Sequence, residues 1–238
     1  MAVRGVPVHA GRGSGRAHLL GATGLPQVPR GSVLIAVGLQ DLPERLVVPE
    51  VSAIVLTRVE DRGPAGDVPA VAGVDIDLFR EGDLVEVDGT AGDVVLPGVR
   101  ETHVVTAFVA RDDGRILLLR RSEKVGSFQG HWAAVSGYLE DPTPRQQALR
   151  EVHEETGLSP DDVSVEREGV PVYARGGDQI FVVHPFLLRT RREEVRIDWE
   201  HTEFEWVTPA EIGRRPTVPK LDRAWTAVAP RPPGRRKG

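Results

Sequence analysis

Apolar residues in this chain come in short runs rich in valine, isoleucine and leucine, broken every few positions by glycine, proline or aspartate. That rhythm belongs to strands rather than to long helices. In the first hundred residues the runs fall at 32–37, 53–57, 84–87 and 93–96. Residues 81–96 read as a β-hairpin, with Asp88-Gly89 and Ala91-Gly92 supplying positive-φ turn positions. Pro97-Gly98 closes this region, and a second composition begins at Thr102. Beyond it, strand-like runs at 103–110 and 115–120 are joined by Asp112-Asp113-Gly114, and further strands are predicted at 132–139, 170–173 and 180–188. Thr208-Pro-Ala-Glu-Ile212 opens a C-terminal helical stretch. The pattern predicts an α/β chain in two regions, 1–98 and 102–229, followed by a tail at 230–238.

One segment carries helix signals at both ends. Thr143 suits an N-cap, with Pro144 at the first helical position and Gln146 three residues on, and Gly157 suits the C-terminal cap. Ala148, Leu149 and Val152 make its apolar stripe, which leaves the glutamates on an adjoining polar flank. Glu151, Glu154 and Glu155 stand at i, i+3 and i+4, so their carboxylates repel one another unless a cation joins them. A solvated acidic face is the other reading of an isolated E-x-x-E-E.

Composition narrows the chemistry. The 238 residues carry a formal charge of -5, which argues against a general nucleic-acid binder. With no cysteine, disulfides, thiolate zinc sites and a cysteine nucleophile drop out, and any metal must take oxygen or histidine ligands. No apolar run approaches the roughly 20 residues a membrane span needs. Gly5, Pro7, Gly11, Gly13 and Gly15 break up the first residues, so a cytoplasmic protein is expected. The proline- and base-rich tail at 230–238 is expected to be disordered.

Residues 137–158 resemble the Nudix box, G-x5-E-x7-R-E-U-x-E-E-x-G-U with U apolar. Arg150, Glu151, Val152, Glu154, Glu155, Gly157 and Leu158 match every defined position of its second half. The first half departs: twelve residues separate Gly137 from Arg150 where the usual form has thirteen, and its middle glutamate is missing. Asp141, Pro142 and Thr143 occupy that region, with Glu140 or Asp141 as a partial substitute. The resemblance implies an α/β/α sandwich with a mixed sheet. It also implies hydrolysis of a nucleoside diphosphate linked to another moiety, with Mg²⁺ or Mn²⁺ held by Glu151, Glu154 and Glu155. Glu154 and Glu155 would be catalytic, and Arg150 an orienting ion-pair partner. A further acid is expected from Trp199-Glu-His-Thr-Glu-Phe-Glu-Trp206: Glu200 first, Glu203 second, both also readable as solvated acids. His153 and His201 could donate protons but read first as ordinary polar surface residues. Trp132, Phe128 and Tyr138 could stack on a base or sit in the core. A small nucleotide is the implied partner, with no specific nucleic acid, no membrane, and homodimerisation left open. The alternative is a regulatory protein that senses a nucleotide without cleaving it, which the altered first half permits.

Residues 11–96 resemble the swivelling phosphohistidine domain of phosphoenolpyruvate-utilising enzymes. Gly13-Ser-Gly-Arg-Ala17, Gly31-Ser-Val-Leu-Ile-Ala36, Ala53-Ile-Val-Leu-Thr57, Asp67-Val-Pro-Ala-Val-Ala-Gly73 and Gly82-Asp-Leu-Val-Glu-Val-Asp-Gly89 carry the likeness. It implies a β-rich β/β/α unit. Residues 57–67, where that family places its phosphate-carrying histidine, contain none. The expected role is therefore structural, dimerising or substrate-capping.

Overall fold

The computed structural model describes residues 1–20, 28–42, 51–59 and 67–230. The tail beyond Pro230 and residues 60–66 of the histidine-less stretch lie outside the described residues. The chain divides into two compact units: Met1–Glu101 with Arg175–Ile180, and Thr102–Ala174 with Phe181–Gly238. Among the described residues no helix is long and apolar enough to cross a membrane.

The first unit contains β1 (Ala2–Arg4), β2 (Val6–His9), β3 (Arg12–Leu19), β4 (Ser32–Ala36), β5 (Val51–Leu56), β6 (Ala70–Ala72), β7 (Leu84–Asp88) and β8 (Asp93–Val95), in the order β1-β8-β7-β3-β4-β5-β6-β2. β3 to β6 run parallel and the outer pairings are antiparallel, so the sheet is mixed. β4 is buried along its whole length, as a strand covered on both faces should be, whereas β7 alternates exposed and buried. Leu34, Ile54 and Leu56 centre the core. β3 has no apolar run to announce it. Its pairing to β4 and β7 makes it a strand, and Gly13 allows this because a Cβ there would collide with the backbone of Ser52. In the predicted hairpin Gly92 has φ 79, as expected. Gly89 does not adopt positive φ; glycine is needed there because a Cβ would meet the carbonyl of His9. Among the described residues this unit has two 3-10 turns, Leu39–Asp41 and Ile76–Leu78, and no α-helix. The β-rich part of the expectation, with its mixed sheet, is present among the described residues.

The second sheet is built from β9 (Arg100–Ala110), β10 (Ile116–Arg121), β11 (Trp132–Ala133), β12 (Val135–Tyr138), β13 (Val163–Glu168), β14 (Val172–Gly176), β15 (Gln179–Thr190) and β16 (His201–Val207). Two helices accompany it, α1 (Pro144–Thr156) and α2 (Leu221–Val228). Its spine is β11-β10-β9-β15-β13, with β16 on β10, β12 on β9 and β14 on β15. The predicted strand at 132–139 is two strands, because the chain leaves β10 after Ala133 and joins β9 from Val135. β13 adds to the predicted set, its alternation carried by only two valines.

Successive residues of β9 and β10 alternate between the two faces of the sheet, and both faces are covered, so burial is nearly continuous. Phe108, Ala110, Ile116 and Leu118 face Ile212, Leu221, Ala224 and Val228, while Val105, Ala107, Val109, Leu117 and Leu119 face Ala148 and Val152 of α1. Near-continuous apolar strands are what a sheet between two helical layers requires. The layering is the expected α/β/α sandwich.

Candidate active site

α1 starts and stops at the predicted caps. The hydroxyl oxygen of Thr143 accepts the Gln146 N–H at 3.3 Å, Pro144 occupies the first turn, and Gly157 ends the helix at φ 70 with its N–H on the His153 carbonyl at 2.9 Å. Ala148 and Val152 are fully buried against the sheet, and Leu149 packs beside them. Burying a side chain the size of Val152 is worth about 2 kcal/mol.

The same stripe extends by i, i+4 and i+7 from Ala148 through Val152 to Glu155. Glu155 is therefore only 3% exposed, whereas Glu151 is half-buried and Glu154 exposed. This corrects the expected common polar flank: three carboxylates on one helix occupy three environments. Glu155 accepts the Ser136 N–H at 3.2 Å through Oε1, and its Oε2 is buried without a hydrogen-bond partner. Burial, then the charges of Glu151, Asp198 and Glu200, push the Glu155 carboxyl well above its ordinary pKa, and the Ser136 N–H opposes them. Burial also raises Glu151, helped by Glu154 and Glu200 and opposed by Gln147 and Arg150. Gly137 on β12 leaves room for Glu151, since a Cβ built there would overlap that carboxylate.

His201 departs from the expected surface position. It is 7% exposed, with Nδ1 at 2.9 Å from Asp198 Oδ1 and Nε2 at 3.7 Å from Glu155 Oε2. Burial lowers its pKa while Asp198 and Glu200 pull it up. His153, by contrast, is exposed at the helix end, with Nδ1 at 3.2 Å from the Leu158 carbonyl. Glu200 is half-buried, its N–H on Asp198 at 3.1 Å, and its charge acts on Glu151, Glu155 and His201. Glu203 is exposed and paired with Arg120 at 2.6 Å. Of the two acids, Glu200 is the one in the field of the buried glutamates.

Arg150 gathers the acids around it: Asp141 at 3.0 Å, Glu140 at 3.1 Å and Glu154 at 3.8 Å. Both acids of the shortened loop are thus engaged with the guanidinium beside α1. Of the three aromatics, Trp132 is buried with Arg215 over its ring at 4.8 Å, whereas Phe128 and Tyr138 are 44% and 61% exposed. Asp198 and Gln147 were not singled out from sequence. Asp198 lies outside every motif and its role depends on contacts across the fold, but Gln147, one turn before Glu151 and next to the predicted stripe, carried a readable signal. Two clefts lie elsewhere in this unit, lined by residues such as Asp162, Arg191 and Arg192 of both signs. Neither is lined by a box glutamate.

Likeness to solved structures is broad and shallow. The MutT protein from Methanosarcina mazei Go1 is 24% identical, over 52% of this chain and 89% of that one, with a TM-score of 0.46. The C. elegans Ap4A hydrolase is 17% identical, over 54% and 94%, with a TM-score of 0.44. The Nudix domain of Shewanella oneidensis NrtR, complexed with ADP ribose, is 18% identical, over 53% and 86%, also at 0.44. No curated protein matches the chain. The NUDIX domain family model matches residues 100–228, more than half the sequence and all of the box, α1 and β16. The chain belongs to the Nudix hydrolase family.

Proposed function

We propose that this protein is a divalent-metal-dependent pyrophosphohydrolase that cleaves a nucleoside diphosphate linked to another moiety. One observation carries the reading: Glu155 is buried with Oε2 accepting no hydrogen bond, amid the charges of Glu151, Asp198 and Glu200. Acids that raise one another's pKa around such an oxygen suit a hard cation, for which carboxylate is the preferred donor. Glu151, Glu154 and Glu155 would hold Mg²⁺ or Mn²⁺. Bound there, the ion would supply charge neutralisation for the diphosphate and a more acidic water.

The chain's own groups divide the remaining work. Arg150, held by Asp141 and Glu140, orients the acids of α1 and does not react. Glu154 faces solvent with Arg150 at 3.8 Å, which leaves it free to turn to a bound cation. Glu200 is the further ligand or base, with Glu203 second. Tyr138, exposed directly after Gly137, offers a ring on which a base can stack. The first unit is proposed as a swivelling-type domain without its phosphocarrier step. Stoichiometric acid-labile phosphate after incubation with phosphoenolpyruvate would refute that.

A second reading, a nucleotide sensor, draws on another observation. Among the described residues no three Asp, Glu or His side chains are gathered to hold a metal. Turnover with Mg²⁺ or Mn²⁺ across ADP-ribose, dinucleoside polyphosphates, nucleotide sugars and nucleoside triphosphates separates the two. The hydrolase reading expects cleavage of at least one compound. Flat progress curves throughout, with clear ligand binding, would establish the sensor.

A further inference from the structure

We propose that Gln147 is a positioning residue that lets a box one residue short keep its shape: it fastens residues 140 and 141 to α1 and aims the carboxylate of Glu151. The aiming half rests on the hydrolase reading, in which Glu151 is a ligand. The fastening half does not.

Gln147 has no exposed surface, and a side-chain amide at that depth costs about 1–3 kcal/mol for each unmet group. Both ends are met. Its Oε1 accepts the Glu140 N–H at 2.8 Å, the Asp141 N–H at 2.9 Å and Nη2 of Arg150 at 2.9 Å. Three donors converge on that atom, so it is the oxygen and the amide has a single orientation. Nε2 then donates to Glu151 Oε1 at 2.5 Å, a bond that needs a carboxyl oxygen acting as acceptor. Glu151 is thus held from its own helix by Gln147 and flanked by Gly137 of β12.

The sequence supplies the reason for a glutamine. With twelve residues between Gly137 and Arg150, the chain leaving Tyr138 reaches the Thr143 cap in one step fewer than the usual box. The 140 and 141 amides come to lie over the first turns of α1, where they need an acceptor. Position 147 is one turn before both Arg150 and Glu151 on the same helix. One side chain there must accept from two amides and a guanidinium and also donate to a carboxylate. Glutamate lacks the donor, asparagine the reach, and methionine both polar functions.

Three variants separate the halves. Gln147→Glu keeps volume and acceptor but loses the donor and places a second charge beside Glu151. Its 140 and 141 amides should still exchange slowly, while affinity for Mn²⁺ alone, read from the free-ion EPR signal, falls about 10- to 100-fold. Its kcat should fall with KM little changed. Gln147→Met fills the space with neither function: exchange at both amides should accelerate at least about 10-fold while the Val152 amide keeps its protection. Its Mn²⁺ affinity should also fall, and inserting a glutamate between Pro142 and Thr143 of that variant restores the usual spacing and should recover most of the loss.

Wild-type Mn²⁺ affinity in Gln147→Glu overturns the aiming role, and wild-type protection in Gln147→Met overturns the fastening. If Gln147→Met unfolds, the Val152 amide reports it and Gln147→Glu still decides. A parent protein that neither binds Mn²⁺ nor cleaves any diphosphate sinks the hydrolase reading and the aiming with it. Fastening then stands or falls on the exchange rates.

Discussion

The two units bury different things. Among the described residues, the polar side chains buried in the first are His18 and Ser32, around a core of valine, isoleucine, leucine and alanine. In the second, Thr106, Ser122, Gln147, Glu155, Thr156, Thr190 and His201 lie below the surface. Buried polar and charged groups raise the cost of folding unless they are paired, and they persist where chemistry needs them. The difference locates the working part of the chain in the second unit. Inside this unit the deepest acid is Glu155, and the proposed site is built around it.

The largest effects should come from the helix. Glu155→Gln is expected to cut turnover by at least about 100-fold, since it replaces a charged ligand by a neutral amide. Without metal it should not destabilise the protein at neutral pH. The native state keeps the Glu155 proton to higher pH than the unfolded chain, where a glutamate titrates near 4.5. That stabilisation is complete below the unfolded value and is lost as pH rises through the raised native one. Urea unfolding in EDTA should therefore show the variant gaining on the parent between pH 4.5 and pH 8. A constant difference would mean that the acid is not buried as a charge. Glu154→Gln should match the loss of turnover, but with a melting temperature within about 1 °C of the parent, because exposed positions carry little stability.

Gly137→Ala comes next. Its Cβ must displace the Glu151 carboxylate, so turnover should fall roughly 10- to 100-fold, a size typical of disturbed ligand orientation. An unchanged rate would mean Glu151 can move freely. Glu200→Gln should cost about 10-fold and Glu203→Gln less than about two-fold, because only the first acts on the buried acids. Equal losses would erase that distinction. The smallest effect on activity is expected from the first unit. Gly13→Ala pushes against the Ser52 backbone and should cost about 1–3 kcal/mol of stability, with turnover below the melting transition within about two-fold.

Much of the site was legible because its signals are local. Thr143, Pro144 and Gly157 declare the ends of α1 through capping that involves only neighbours in sequence, and the spacing of Arg150, Glu151, Glu154 and Glu155 needs only helical geometry. In the two sheets, β4, β9, β10 and β15 declared themselves by apolar runs. β3 did not, because neighbouring strands hold it in place and its own side chains contribute little.

By itself the sequence determined the family, the caps of α1, the oxygen-or-histidine ligand chemistry that follows from having no cysteine, and the one-residue gap in the box. Only the tertiary structure decided which acids are buried. Burial depends on what packs against a helix face, and β12, just before α1 in sequence, and the distant 198–201 segment both reach Glu155. It likewise decided that His201 lies inside between Asp198 and Glu155, and that Gln147 joins the shortened loop to Glu151. A hydrogen bond depends on three-dimensional proximity, which sequence order records only within a helix turn or a tight turn.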